Sequence, residues 1–153
     1  MSRRDRQRWA FNETFIIGKQ DNPMMKRWRL IQTPWFWIYV HFIYREDLDP
    51  VMHDHPWNFW RMVLRGGYIE NYVTDPASRI SHPQMILPFR PLRFPVNHAH
   101  RIVMVKPRTV SLVLVGRRLR DWGFWGPGEF YPPRTWVDYR DALGLRPTEG
   151  VTE

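Results

Sequence analysis

Met52-His53-Asp54-His55-Pro56-Trp57-Asn58-Phe59 lies between an aromatic run, Trp35 to Tyr44, and an apolar run that closes in Gly66-Gly67. His53 and His55 stand one residue apart. Side chains alternate on an extended segment, so both imidazoles reach the same side and can meet one ion. Downstream, Pro95-Val96-Asn97-His98-Ala99-His100 supplies two more histidines at the same spacing. A pair that only packs or hydrogen-bonds is the competing reading, and spacing alone does not separate the two.

Outward from this stretch the chain reads as strands punctuated by turns. Thr14 to Ile17, Trp28 to Gln32, Trp35 to Tyr44, Phe59 to Leu64, Tyr68 to Val73, Met85 to Leu87, Arg101 to Val105, Val110 to Val115 and Leu119 to Phe124 are rich in β-branched and aromatic residues. Asp21-Asn22-Pro23, Gly66-Gly67, Asp75-Pro76, Lys106-Pro107 and Gly126-Pro127-Gly128 separate them. The 14 prolines fall largely between runs, which disfavours long helices and points to an all-β sandwich or barrel. One helix is expected, capped by Thr135, running from Trp136 to Leu143 and stopped by Gly144. The expected organisation is a basic arm over 1–10, a single β-barrel domain with that helix over 11–146, and a flexible tail over 147–153.

Composition limits the chemistry. The chain has 153 residues, 43% hydrophobic and 16% aromatic, enough for one buried core. It has no cysteine, which excludes disulfides, thiolate metal sites, iron–sulfur clusters and cysteine nucleophiles and leaves His, Asp and Glu to hold any metal. No stretch approaches the roughly 20 apolar residues that span a bilayer, and the charged start, Met1 to Trp9, does not read as a secretory signal. The expectation is a cytoplasmic protein, with no membrane partner. A net charge of +8 raises the prospect of nucleic acid as a partner, but the basic residues are dispersed and that partner is not favoured.

His53, His55 and Gly66, with Pro95 and His100, resemble the two paired motifs of the cupin superfamily. The wider string, with Leu64-Arg65-Gly66-Gly67-Tyr68 and Trp122-Gly123-Phe124-Trp125, is similar to small single-domain cupins of bacteria and their bacteriophages. The resemblance implies a cupin jelly-roll β-barrel. Two positions depart from the pattern. Phe59 or Trp60 stands where those motifs usually carry a glutamate ligand, and Asn97 stands for a glycine, a replacement that suits a left-handed turn.

By position the resemblance implies His53, His55 and His100 as ligands of one divalent transition metal. Fe(II) is favoured, and Zn, Ni and Mn have the same claim on ligand type. Three neutral imidazoles leave coordination positions open, as in non-haem iron enzymes, and without a carboxylate ligand the ion favours an anionic or chelating small-molecule substrate. The pattern is similar to that of thiol dioxygenases, so a dioxygenase-type oxidoreductase is the leading reading. The chain lacks a cysteine near Trp60 and has no arginine from Trp35 to Tyr44, which argues against cysteine dioxygenase itself. The alternatives are a non-catalytic cupin acting as a binding or assembly module through its basic surface, and a cupin sugar isomerase or epimerase.

The remaining candidates are less determined. His98 rivals His100 for the third ligand or supports it from behind. Tyr39, His41, Trp57 and Arg61 are pocket candidates; for His41 and Trp57 a place in the core is the favoured reading. Arg65 and Arg101 flank the motifs as Arg61 does, and alternation does not say which turns inward. His82 reads as a solvated loop residue, and Asp54 as pointing away from the metal. A homodimer formed through sheet edges or faces is a further expectation.

Overall fold

The computed structural model describes residues 10–18, 20–75, 80–126, 129–132, 141–142 and 144. Two six-stranded sheets face one another. The first contains β1 (Ala10–Gly18), β2 (Pro23–Gln32), β3 (Trp37–Ile43), β5 (Phe59–Arg65), β8 (Leu92–Phe94) and β10 (Thr109–Val115), in the order β1-β2-β3-β10-β5-β8. The second contains β4 (Met52–His53), β6 (Tyr68–Val73), β7 (His82–Ile86), β9 (Ala99–Val105), β11 (Phe124–Trp125) and β12 (Phe130–Tyr131), in the order β12-β11-β4-β9-β6-β7. Every pairing between these strands is antiparallel. The expected all-β jelly roll is what the chain forms.

Alternation along the strands makes the core. Trp37, Tyr39, His41 and Ile43 of β3 are buried on one face, as are Thr109, Ser111, Val113 and Val115 of β10 and Phe59, Arg61 and Val63 of β5. Tyr68, Ile86 and Ile102 close over them from the second sheet. Phe59 and Phe94 stack at 4.8 Å between ring centres. The chain crosses between sheets at Gly66-Gly67, with φ of 79° and 135°, angles that only glycine adopts without strain. A side chain at Gly66 would overlap Thr109, whose hydroxyl takes the Gly67 amide at 3.0 Å.

Several expectations need correction. β2 begins at Pro23 and so includes Arg27, five residues before the expected start. β7 begins at His82, so this exposed histidine lies on a strand; Pro83 is accommodated because β7 is an edge. The expected strand Leu119 to Phe124 does not form. The Leu119 and Arg120 amides both turn to the Pro56 carbonyl, at 2.7 and 3.3 Å, and only Phe124–Trp125 pairs in a sheet. Asn97 takes no positive φ, unlike Phe89 and Arg108; its side-chain Nδ2 instead donates to the Thr74 carbonyl at 2.8 Å. Most of the expected C-terminal helix lies outside the described residues, as do residues 1–9 and 147–153. Residues 141–142 are helical, and Gly144, at φ 68°, donates its amide to the Asp141 carbonyl at 3.1 Å.

Candidate metal centre

β4 and β9 pair so that His53 stands directly opposite His100. His55 follows in a segment anchored on both sides: the Asp54 amide donates to the Gly123 carbonyl at 3.0 Å, and the Asn58 carbonyl accepts the Gly116 amide at 3.0 Å. The three imidazoles converge, with one ring nitrogen of each within 4.8 Å of the others. His55 Nε2 and His100 Nε2 are 3.0 Å apart. Two nitrogens each about 2.1 Å from one ion are separated by roughly 3.0 to 3.4 Å, so this spacing fits neighbouring ligands of a first-row metal.

Carboxylates stand behind two of these rings. Glu70 Oε2 accepts from His100 Nδ1 at 2.6 Å, which fixes the proton on that nitrogen and leaves Nε2 bare toward His55. Asp47 Oδ2 lies 3.9 Å from His53 Nδ1 and is itself held by the Ile102 amide at 2.6 Å. Burial alone would raise the Glu70 carboxyl, but His100 and His98, with Arg61, hold it far below the usual carboxylate range. Burial pushes His55 well below the ordinary imidazole value, and the neighbouring His53, His100, Arg61 and Arg27 add to that. His53 is lowered chiefly by burial, against the pull of Asp47. Neutral imidazoles are the form that ligates metal.

His98 does not join this trio. It precedes β9, places Nε2 3.0 Å from Glu70 Oε1 and stacks on Tyr72 at 5.0 Å. Glu70, His98 and His100 form a second metal-capable group, but it would draw on the His100 nitrogen that Glu70 already holds. Glu70 was not anticipated from the motif. It is the buried charge in Tyr68-Ile69-Glu70, on the inward phase of β6, and that phase was its signal.

A cavity opens beside His55. Arg27, Tyr39, His41, His55, Trp57, Phe59, Arg61, Val113 and Val115 line it. All four pocket candidates therefore gather there, joined by Arg27. Arg61 is buried and donates to the Tyr68 hydroxyl, whereas Arg65 is exposed and Arg101 half-buried. Trp60 faces outward at 48% exposure. Asp54 points away from the imidazoles, as expected: it accepts from the Gly123 amide at 2.9 Å, Trp125 Nε1 at 2.8 Å and Arg120 Nη2 at 2.7 Å. Gly123 is required there, because a Cβ would meet the Tyr131 carbonyl and the Phe130 ring.

No protein-family model matches the sequence, and no curated protein matches it. Solved structures do match. One, provisionally described as a mannose-6-phosphate isomerase from Ralstonia eutropha JMP134, has a TM-score of 0.51 at 19% identity over 65% of this chain and 88% of its own. The Fe(II) form of HppE gives 0.54 at 12% identity, covering 69% of this chain and 56% of that one. One chain described under the crystal structures of the DMSP lyases RdDddP and RnDddQII gives 0.53 at 16% identity, covering 69% of this chain and 57% of that one. The chain thus spans little more than half the length of the latter two. At these identities the likeness concerns architecture, and in architecture the chain is a cupin-type jelly roll that brings together a histidine group capable of holding a metal.

Proposed function

We propose that the protein is a mononuclear metal-dependent cupin enzyme, with His53, His55 and His100 as ligands, acting on a small anionic molecule bound in the cavity beside His55. The observation that carries this reading is the convergence of the three imidazoles with Glu70 and Asp47 behind them. Structural centres have closed coordination, but three protein ligands leave positions for substrate. Fe(II) is the favoured ion, and the reaction is of the oxygenase type; the Fe(II) form of HppE lends support as a neighbour of the same fold. When bound, such an ion activates dioxygen or polarises a ligated substrate.

The chain's own residues supply the surroundings. Glu70 holds the His100 ring in one orientation and keeps its proton on Nδ1. Trp57 and Phe59 give the cavity an apolar wall that excludes water. His41, held neutral by burial and by Arg27 and Arg61, presents an uncharged ring to the same space.

Nitric oxide tests the oxygenase reading without knowledge of the substrate. Protein reconstituted anaerobically with Fe(II) is expected to form an iron–nitrosyl EPR signal, absent from His53→Ala. Iron uptake with no nitrosyl signal would mean that no coordination position is open, and would contradict the reading.

A further inference from the structure

The cavity has an unusual charge pattern. Arg27 reaches it from β2 and Arg61 from β5, and among the described residues its lining contains no Asp or Glu. Two guanidinium groups in a shared low-dielectric space repel one another, and no carboxylate lines the space between them; Arg61 is compensated from behind, where Tyr68, Glu70 and Asp47 outweigh its burial, whereas Arg27 is not. The Arg27 guanidinium is lowered by burial, with Tyr39 opposing and Arg61 adding to the shift.

Hydrogen bonding shows the same imbalance. Arg27 Nε donates to His41 Nε2 at 3.1 Å, so the remaining His41 proton sits on Nδ1. That Nδ1 is buried and has no partner among the described residues. Arg61, 5% exposed, gives one nitrogen to Tyr68 while its buried Nε also lacks a partner. The unmatched atoms of the cavity lining, His41 Nδ1 and Arg61 Nε, are both donors. Of the two acids that act on Arg61, Glu70 already accepts from His98 and His100, and Asp47 accepts from the Ile102 amide.

We propose that Arg27 and Arg61 form an oxyanion-binding site beside His55, and that the substrate carries a phosphonate, phosphate or carboxylate head received there. A planar, permanently charged fork from each arginine suits an oxyanion better than a sugar hydroxyl or a neutral ring. The position of the fork beside His55 puts the head group next to the metal-capable trio. The substrate role rests on the metal-site reading above, whereas the anion site stands on the cavity alone.

The test is calorimetric titration of wild type, Arg27→Met and Arg61→Lys with methylphosphonate, acetate and neutral acetamide, each protein measured metal-free and after Co(II) loading. Wild type is expected to bind one of the anions and not acetamide, and the better anion identifies the head group. Arg27→Met is expected to weaken that binding about tenfold to a hundredfold, the range for a lost charged hydrogen bond. Arg61→Lys keeps the charge but not the fork, and is expected to weaken it less while remaining folded by circular dichroism. Equal anion binding in all three proteins, or none in wild type with or without metal, would overturn the proposal. The two readings fail separately: uptake of metal with anion binding indifferent to Arg27 removes the anion site alone, and Arg27-dependent binding by a protein that takes up no metal removes the metal centre alone.

Discussion

Asp54 and Arg61 are both buried charges within a few residues of His55, yet their surroundings are opposite. Asp54 is fully buried and uses both oxygens, with Gly123, Trp125 and Arg120 as donors. Those bonds tie the ligand segment to the strand that carries Phe124. Arg61 is buried at 5% exposure but keeps an unmatched donor and shares a cavity with a second guanidinium. A charge whose hydrogen bonds are complete holds the scaffold, and a charge left with open donors beside a space is arranged to meet something else.

The comparison can be broken first at its structural end. Asp54→Ala leaves the Gly123 amide and Trp125 Nε1 without this acceptor and Arg120 Nη2 with the Val96 carbonyl alone, and is expected to cost about 3 kcal/mol, discounted for the partly exposed Arg120. Chemical denaturation measures it; a loss under about 1 kcal/mol would show that Asp54 does not anchor the segment. Glu70→Gln preserves shape while removing the charge behind His100. Metal affinity is expected to fall about ten- to a hundredfold, read by competition with a chelator.

Next comes pH. His41, His53 and His55 are all lowered by burial below the ordinary value of 6.5, so the unfolded chain binds more protons as pH falls through that value. Their stabilising contribution is present above about pH 6.5 and lost below it, toward their depressed folded values. Metal-free protein should therefore melt at progressively lower temperature from pH 7 to pH 5, and a flat profile would count against buried neutral imidazoles. The smallest effect is at the recognition end. Arg27→Met, which removes a like-charge contact at the cost of its bond to His41, is expected to change stability by less than about 1 kcal/mol in either direction. A loss comparable with that of Asp54→Ala would make Arg27 a scaffold residue instead.

How much of this was legible in the sequence varied with the physics of each element. His53, His55 and His100 were readable because their positions follow from strand alternation and a motif. Arg61 was ambiguous for a physical reason: Trp60, Met62 and Leu64 make the outer face of β5 as apolar as Phe59 and Val63 make the inner one, so neither phase announced itself. Arg27 was hidden by a strand start set at Trp28, although Met25, Arg27 and Arg29 share one phase. Asp47 was out of reach, since its bond to the Ile102 amide spans 55 residues and arises only from the fold. The stretch before Phe124 has strand-like composition but satisfies its amides at Pro56, which is tertiary structure overriding propensity.

The central claim is that His53, His55 and His100, and not His98, hold a metal. Metal content should be measured in protein prepared without a histidine tag, loaded with Fe(II) or Co(II) and desalted, for wild type and for alanine variants at each of the four histidines. The account predicts about one equivalent in wild type, little or none in folded variants at His53, His55 or His100, and retained but weakened binding in His98→Ala. No metal in wild type, or full occupancy in any of the three ligand variants, would contradict it.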